Sequence, residues 1–187
     1  MEHERLDVEI VDHGFLTRAH LSHLGRLFDA EYRHTHGAWT PHRPYGYSPA
    51  DVHVLVYRDA DLLGHAGFQQ RTIAVGHRTV HVAGTGGVLI TEAARGTGIG
   101  RILLLHTHRA MRETPRVEFG YLGCREGVVP FYESEGWHRI AAAERSLSRA
   151  TGRQVYVPAG APIMILPVTR GVAEWPRGVV DLRGTPW

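Results

Sequence analysis

Hydrophobic and polar positions change period several times along the chain, and each change marks an element. Residues 6–11, Leu6-Asp7-Val8-Glu9-Ile10-Val11, alternate with period two, which predicts a strand. Over residues 17–32, Leu21, Leu24, Leu27 and Phe28 recur at helical spacing. A Gly/Pro/aromatic-rich loop then covers 34–49, and a loop that long inside a compact domain often lines a site. Stretches 52–57, 62–75 and 79–90 read as three strands joined by the turns Asp59-Ala60-Asp61 and Gly76-His77-Arg78, an antiparallel meander.

The helical period then returns. Ile99, Ile102, Leu103, His106, Ala110 and Met111 share one face, with Arg101, His108, Arg109 and Arg112 opposite. Arginines late in this helix suit its dipole, and Pro115 follows its end. Residues 117–122 read as a strand. Residues 128–135 read as a short helix with Pro130 in its first turn and Gly136 as its stop. Residues 155–168 are apolar and strand-like, interrupted at 158–162. The tail 174–187 carries Trp175 and Trp187 and reads as docked. This order predicts an α/β (α+β) fold with a mixed, mostly antiparallel central sheet flanked by helices, in one domain spanning 1–187.

Composition narrows the chemistry. The 187 residues include no lysine and no asparagine, so all 21 basic residues are arginine. Schiff-base chemistry and the P-loop lysine are thereby excluded. One cysteine, Cys124, excludes an intramolecular disulfide and a multi-cysteine metal site; it reads as a packed small hydrophobe. The 14 histidines contain no His-Glu-x-x-His, and no metal is expected. A net charge of +2 with scattered arginines gives no nucleic-acid stripe. With no signal-peptide pattern and no apolar run near ~18 residues, the expectation is a soluble cytoplasmic protein with no membrane partner.

The most informative segment runs from Gly87 through Ile90 into Arg95-Gly96-Thr97-Gly98-Ile99-Gly100-Arg101, a strand leading through a glycine turn into a helix. Glycines let backbone approach a ligand, and the first N–H groups of a helix form an anion site suited to a pyrophosphate. The Gly96-x-Gly98-x-Gly100 spacing after an antiparallel meander does not fit a dinucleotide-binding βαβ unit. A turn with no ligand is the plain alternative.

Arg95 to Gly100 resembles the R/Q-x-x-G-x-G/A signature of the GNAT superfamily of N-acetyltransferases, and Phe131-Tyr132-Glu133-Ser134-Glu135-Gly136-Trp137 resembles its F-Y-x-x-x-G-F/W motif. The resemblance implies acetyl-CoA as cosubstrate, with its pyrophosphate on the backbone of Arg95, Gly96, Thr97, Gly98, Ile99, Gly100 and Arg101. Pantetheine would lie along Val88, Leu89 and Ile90, where a backbone N–H would polarise the thioester carbonyl. Tyr132 would be the general acid for the leaving thiolate. A homodimer is also implied.

A narrower resemblance joins Leu63-Gly64-His65-Ala66, Gln70-Arg71 and the tail Asp181 to Trp187 to the aminoglycoside 2′-N-acetyltransferases. Glu174-Trp175-Pro176-Arg177-Gly178 resembles the tail of the nodulation N-acyltransferases, which act on a chito-oligosaccharide amine. Both imply a small-molecule amine acceptor on an amino sugar, and an aminoglycoside-type antibiotic is the reading adopted. Another sugar, peptide or polyamine amine is an alternative, as is a catalytically silent CoA-binding module. Gly86 aligns with the strand glutamate of the 2′-acetyltransferases, so the base does not carry over; Glu118 and His81 are the substitutes, or a water chain from backbone carbonyls. Trp187 would present the chain-terminal carboxylate to a cationic sugar. Asp29 and Glu31 are expected amine partners, and Trp39, Tyr45 and Tyr47 are expected to stack on a sugar face.

Overall fold

Period-two alternation produces the first strand, β1 (Leu6–Asp12), which pairs antiparallel with β2 (Val52–Arg58), Val8 facing Val56. Between them lies α1 (Arg18–His36). Thr17 caps it: its hydroxyl accepts the His20 N–H at 3.2 Å while His20 Nδ1 accepts the Thr17 N–H at 3.1 Å, a capping box with histidine in the usual glutamate place. The helix runs four residues beyond the expected end at Tyr32. Its last turn is polar, so apolar spacing does not register it, and Gly37 stops it at φ +78°. The computed structural model describes residues 6–42 and 48–187.

The remaining elements are β3 (Asp61–Val75), β4 (Arg78–Ile90), α2 (Ile99–Glu113), β5 (Phe119–Gly123), α3 (Val129–Ser134), β6 (His138–Ile140), β7 (Glu144–Leu147), β8 (Gln154–Val157), β9 (Ile163–Pro167) and β10 (Val180–Asp181). They fall into two compact units, Met1–Phe68 with Gly86–Ala110, and Gln69–Thr85 with Met111–Trp187. β3 and β4 each contribute residues to both. In the first unit Leu24, Leu27 and Phe28 of α1 pack on Leu55 and Tyr57 of β2, Leu62 of β3 and Leu89 of β4. These are the helical positions whose spacing marks the buried stripe.

In the second unit β5 runs parallel to β4, Val82 to Gly84 facing Phe119 to Tyr121, and antiparallel to β9, which pairs with β6. On the other side β10 joins β3, and β7 and β8 follow. Its core consists of residues two apart: Ile73 and Val75, Val80 and Val82, Phe119 and Tyr121, Ile163 and Ile165, Val180 and Leu182. Residues i and i+2 of a strand share a face, so this core is one face of the sheet. The strands β6, β7 and β10 are too short to show any period, and the sequence reading misses them.

The tail is docked, as expected. Leu182 N–H donates to Arg145 O and Leu147 N–H to Gly184 O, both at 2.9 Å. Arg71 donates to the carbonyls of Leu182 at 3.2 Å and Thr185 at 2.8 Å. Its guanidinium lies 4.1 Å from the centre of the Trp187 ring, and Gln69 Oε1 accepts from both Arg71 and Trp187 Nε1–H. The indole rests on Gly84, where a Cβ would meet it at 1.9 Å. Gly84→Ala is therefore expected to expel Trp187, forfeiting ~2 kcal/mol of apolar burial plus the cation–π contact and lowering Tm by roughly 5–10 °C. Gly127→Ala, whose methyl meets nothing within 4 Å, should leave the melting curve unchanged.

Candidate functional site

The glycine turn belongs to the first unit. Gly96 and Gly98 have φ of +77° and +89°, and a Cβ at either would meet nothing within 4 Å. The glycines are thus required by backbone conformation and leave open space above the turn. Arg101 and Ile102 N–H both bond back to Gly98 O, which starts α2. Arg95 N–H donates to Glu92 O and Thr97 N–H to Ala94 O. The N–H groups of Gly96, Gly98, Ile99 and Gly100 find no partner among the described residues, four groups within the span from Arg95 to Arg101 expected to meet a pyrophosphate. The Arg95 side chain turns away from it, onto Ile90 O at 3.2 Å and Glu31 at 2.7 Å.

Residues expected to meet the acceptor are engaged within the same unit. Asp29 accepts the Trp39 backbone N–H at 2.7 Å and pairs with Arg33 at 3.4 Å. Trp39 stacks on Phe28 with ring centres 5.5 Å apart and planes 6° from parallel. Together they anchor the start of the loop after α1. Glu31 is tied to Arg95. Tyr45 and Tyr47 lie outside the described residues.

A chain of three imidazoles, unread in the sequence, crosses the first unit. His13 Nδ1 lies 3.0 Å from His53 Nε2, His53 Nδ1 lies 3.0 Å from His65 Nε2, and His65 Nδ1 lies 2.7 Å from the carbonyl oxygen of Gly87. A carbonyl only accepts, so His65 carries its proton on Nδ1. His65 Nε2 then accepts from His53 Nδ1–H, and His53 Nε2 from His13 Nδ1–H, a tautomer order set from the carbonyl outward. Burial pushes His53 down to about 3, with the neighbouring histidines adding to the shift, and pushes His65 down to about 4 although its bond to Gly87 pulls the other way. Both inner rings are neutral at neutral pH. The signal available was a histidine inside each apolar strand, Val52-His53-Val54 and Gly64-His65-Ala66.

In the second unit Tyr132 sits in α3, 7% exposed, its ring edge-on to Trp137 at 5.8 Å. Burial, with Cys124 nearby, pushes its phenol up, so it stays protonated across neutral pH. Burial pushes the Cys124 thiol up as well, with Arg139 opposing the shift and Glu126 adding to it. Glu118 and His81 are brought together by the β4–β5 register: His81 N–H donates to Glu118 Oε2 at 2.8 Å, and Glu118 N–H to His81 O at 2.9 Å. Arg170 approaches Glu118 at 3.5 Å, and His81 Nδ1 lies 2.9 Å from the Thr72 hydroxyl. Glu118 immediately precedes β5, whereas α3 and Tyr132 come after its other end. Both expected bases thus hold a strand junction. Tyr121 also donates a short hydrogen bond to Glu144, and burial raises both groups. Trp187 edges onto Tyr121 at 5.8 Å.

A family model described as nodulation protein A (NodA) matches residues 6–186. Among solved structures, Escherichia coli ElaA is similar at a TM-score of 0.60 and 18% identity, over 87% of this chain and 99% of that one. An acyl-CoA N-acyltransferase from Pseudomonas aeruginosa gives 0.57 and 19%, over 87% and 99%. Escherichia coli YhbS, a GNAT family N-acetyltransferase solved in complex with CoA, gives 0.59 and 11%, over 97% and 92%. At these identities the structural likeness speaks to the fold: a mixed, mostly antiparallel sheet flanked by helices. Among the described residues, no helix is long and apolar enough to cross a membrane.

Proposed function

The chain belongs to the nodulation protein A family, a family of acyltransferases with a GNAT fold, and from that premise we propose that it moves an acetyl group from acetyl-CoA to an amine of an amino sugar. One observation carries the reading. A strand runs into a turn whose two left-handed glycines leave open space over four N–H groups, in the turn and the start of α2, that have no partner among the described residues. That is a cradle for a pyrophosphate, and a Cβ there would intrude on it. The CoA held by the similar YhbS fold supports the same donor.

The reaction is direct attack in a ternary complex. The neutral amine forms the new C–N bond at the thioester carbonyl, and its surplus proton leaves through water and backbone carbonyls, since Glu118 and His81 are occupied. Negative charge on the carbonyl oxygen is met by backbone N–H along Val88 to Ile90. The C–S bond then breaks and CoA leaves as the thiolate, with Tyr132 donating a hydrogen bond to its sulfur while keeping its proton.

An aminoglycoside-type antibiotic is one acceptor class. The engagement of Asp29 with Trp39 and of Glu31 with Arg95 favours an acceptor of low positive charge over a polyamine. The family match along 6–186 favours a chito-oligosaccharide amine as the second reading. The same proposal has residues 1–187 acting as one catalytic domain, in the cytoplasm and as a homodimer. Thiol release from acetyl-CoA should be followed with aminoglycosides, including kasugamycin, and with glucosamine oligomers. Turnover on a glucosamine oligomer but on no aminoglycoside selects the second reading. CoA binding with no turnover on any amine marks a silent CoA-binding protein and overturns the proposal.

A further inference from the structure

The imidazole chain ends on one peptide of β4, and that peptide has two edges. Its carbonyl is that of Gly87 and its N–H is that of Val88. In a trans peptide these point in opposite directions, and the structure has no cis bond among its described residues. Thr91 N–H donates to Leu63 O of β3 at 2.8 Å. Along a strand, alternate N–H groups face the same side, so Leu89 faces β3 with Thr91, while Val88 and Ile90 face away. The bond from His65 Nδ1 to Gly87 O therefore holds the carbonyl edge on one side and aims the Val88 N–H at the other.

This peptide needs holding. Gly87 has φ of +61°, outside the extended range of a strand, and glycine pays no side-chain penalty for leaving that conformation. A 2.7 Å bond from a buried ring, 2% exposed, supplies the restraint. The ring is itself fixed. Phe28 stands edge-on to it at 5.3 Å, and His53, buried beside it, donates to its Nε2. His13 in turn donates to His53. Each link forces the next ring into its Nδ1–H form, so His65 cannot rotate its donor away without leaving a buried nitrogen unpaired. A hydrogen bond accepted by the carbonyl also polarises the peptide and strengthens the N–H at its other edge.

We propose that His65 is a positioning residue, held in its Nδ1–H tautomer by the Gly87 carbonyl and braced behind by His53 and His13, that fixes the Gly87–Val88 peptide so that the Val88 N–H meets the developing oxyanion of the acyl thioester. The inference rests on the acyl-transfer reading of β4 given above. Three substitutions separate its parts. In His65→Asn the side-chain N–H stands near the place of Nδ1; in His65→Gln it is displaced by one carbon, and in His65→Leu there is none.

The full chain and each variant are assayed for kcat and KM with acetyl-CoA and an accepted amine, for CoA affinity by calorimetry, and for folding by thermal melts. Expected values of kcat are within about 5-fold of wild type for His65→Asn and about 10- to 100-fold lower for His65→Gln and His65→Leu, below the ~100- to 1000-fold cost of deleting an oxyanion donor because the Val88 N–H is misdirected rather than removed. CoA affinity should change less than 3-fold throughout, because the pyrophosphate cradle lies elsewhere on the chain. If His65→Leu does not fold, the Asn–Gln pair decides. Equal kcat for His65→Asn and His65→Gln, or a loss of kcat that tracks Tm alone, overturns the assignment. A wild-type chain that neither binds CoA nor turns over overturns the functional reading itself, and is distinct from wild-type turnover that His65 variants leave untouched.

Discussion

Gly98→Asp is expected to raise the Kd for CoA at least about 100-fold, measured by calorimetry on the full chain. Two costs combine. Gly98 sits at φ +89°, a region that L residues enter at a penalty of ~1–2 kcal/mol, so the variant turn relaxes out of the conformation that presents its N–H groups. The carboxylate then stands in the open space above Gly98, where the proposed pyrophosphate would lie. Like charges ~4 Å apart repel by ~1 kcal/mol in water and ~4 kcal/mol near a protein surface. At the surface value these sum to ~5–6 kcal/mol, above the roughly 2.7 kcal/mol that a 100-fold change requires.

Gly98→Ala separates the two contributions, since it carries the strain without the charge and should weaken binding by about 10-fold. Salt separates them again: raising ionic strength from 0.1 M to 1 M shortens the screening length from ~10 Å to ~3 Å and should shrink the difference between Asp and Ala. Unchanged CoA affinity in Gly98→Asp removes the turn as the binding site. Arg95 does not compensate in either variant, because its guanidinium is paired with Glu31. The anion would be held by backbone, which suits a chain whose only strong cations are arginines.

How much of this was legible beforehand depends on the range of each interaction. The turn is local: strand, glycines and helix follow one another, and Arg95 to Arg101 carry their own conformational signal. The motif from Phe131 to Trp137 is local too. The histidine chain is not. His53 and His65 are visible as polar residues inside apolar strands, but only the register, with Leu55 facing His65 and His53 facing Gly67, sets the rings on one line to Gly87. The tail clamp joins Arg71 and Gln69 to Leu182, Thr185 and Trp187 across most of the second unit's sequence, and nothing near Arg71 announces it. Glu118 and His81 show the same range effect from the other side. Read singly, each is a titratable group on a strand near a proposed site; read in register, each is the other's hydrogen-bond partner. For Asp29, one partner is a backbone N–H ten residues on, at Trp39.

Tyr132→Phe is expected to lower kcat by about 10- to 150-fold while leaving KM for acetyl-CoA and the melting temperature near wild type. The substitution keeps the ring, and with it the edge-on contact to Trp137 and the tilted contact to Phe131. It removes a hydroxyl that has no hydrogen-bond partner among the described residues, so little folding energy is at stake. What is lost is a donor to a sulfur that becomes negative as the C–S bond breaks, and a hydrogen bond to a charged group contributes ~1.5–3 kcal/mol. Because the sulfur is neutral in the bound thioester, the loss falls on kcat rather than on binding. Burial raises the phenol's pKa above that of a free tyrosine. In the proposed step it would therefore act as a hydrogen-bond donor that keeps its proton, and it should contribute no alkaline limb to the pH–rate profile below pH 10. The need for this donor should scale with the basicity of the leaving thiol. An acyl donor with an aryl thiol of low pKa should show a smaller Tyr132→Phe effect than acetyl-CoA, and an effect that stays the same size across thiols assigns Tyr132 to packing.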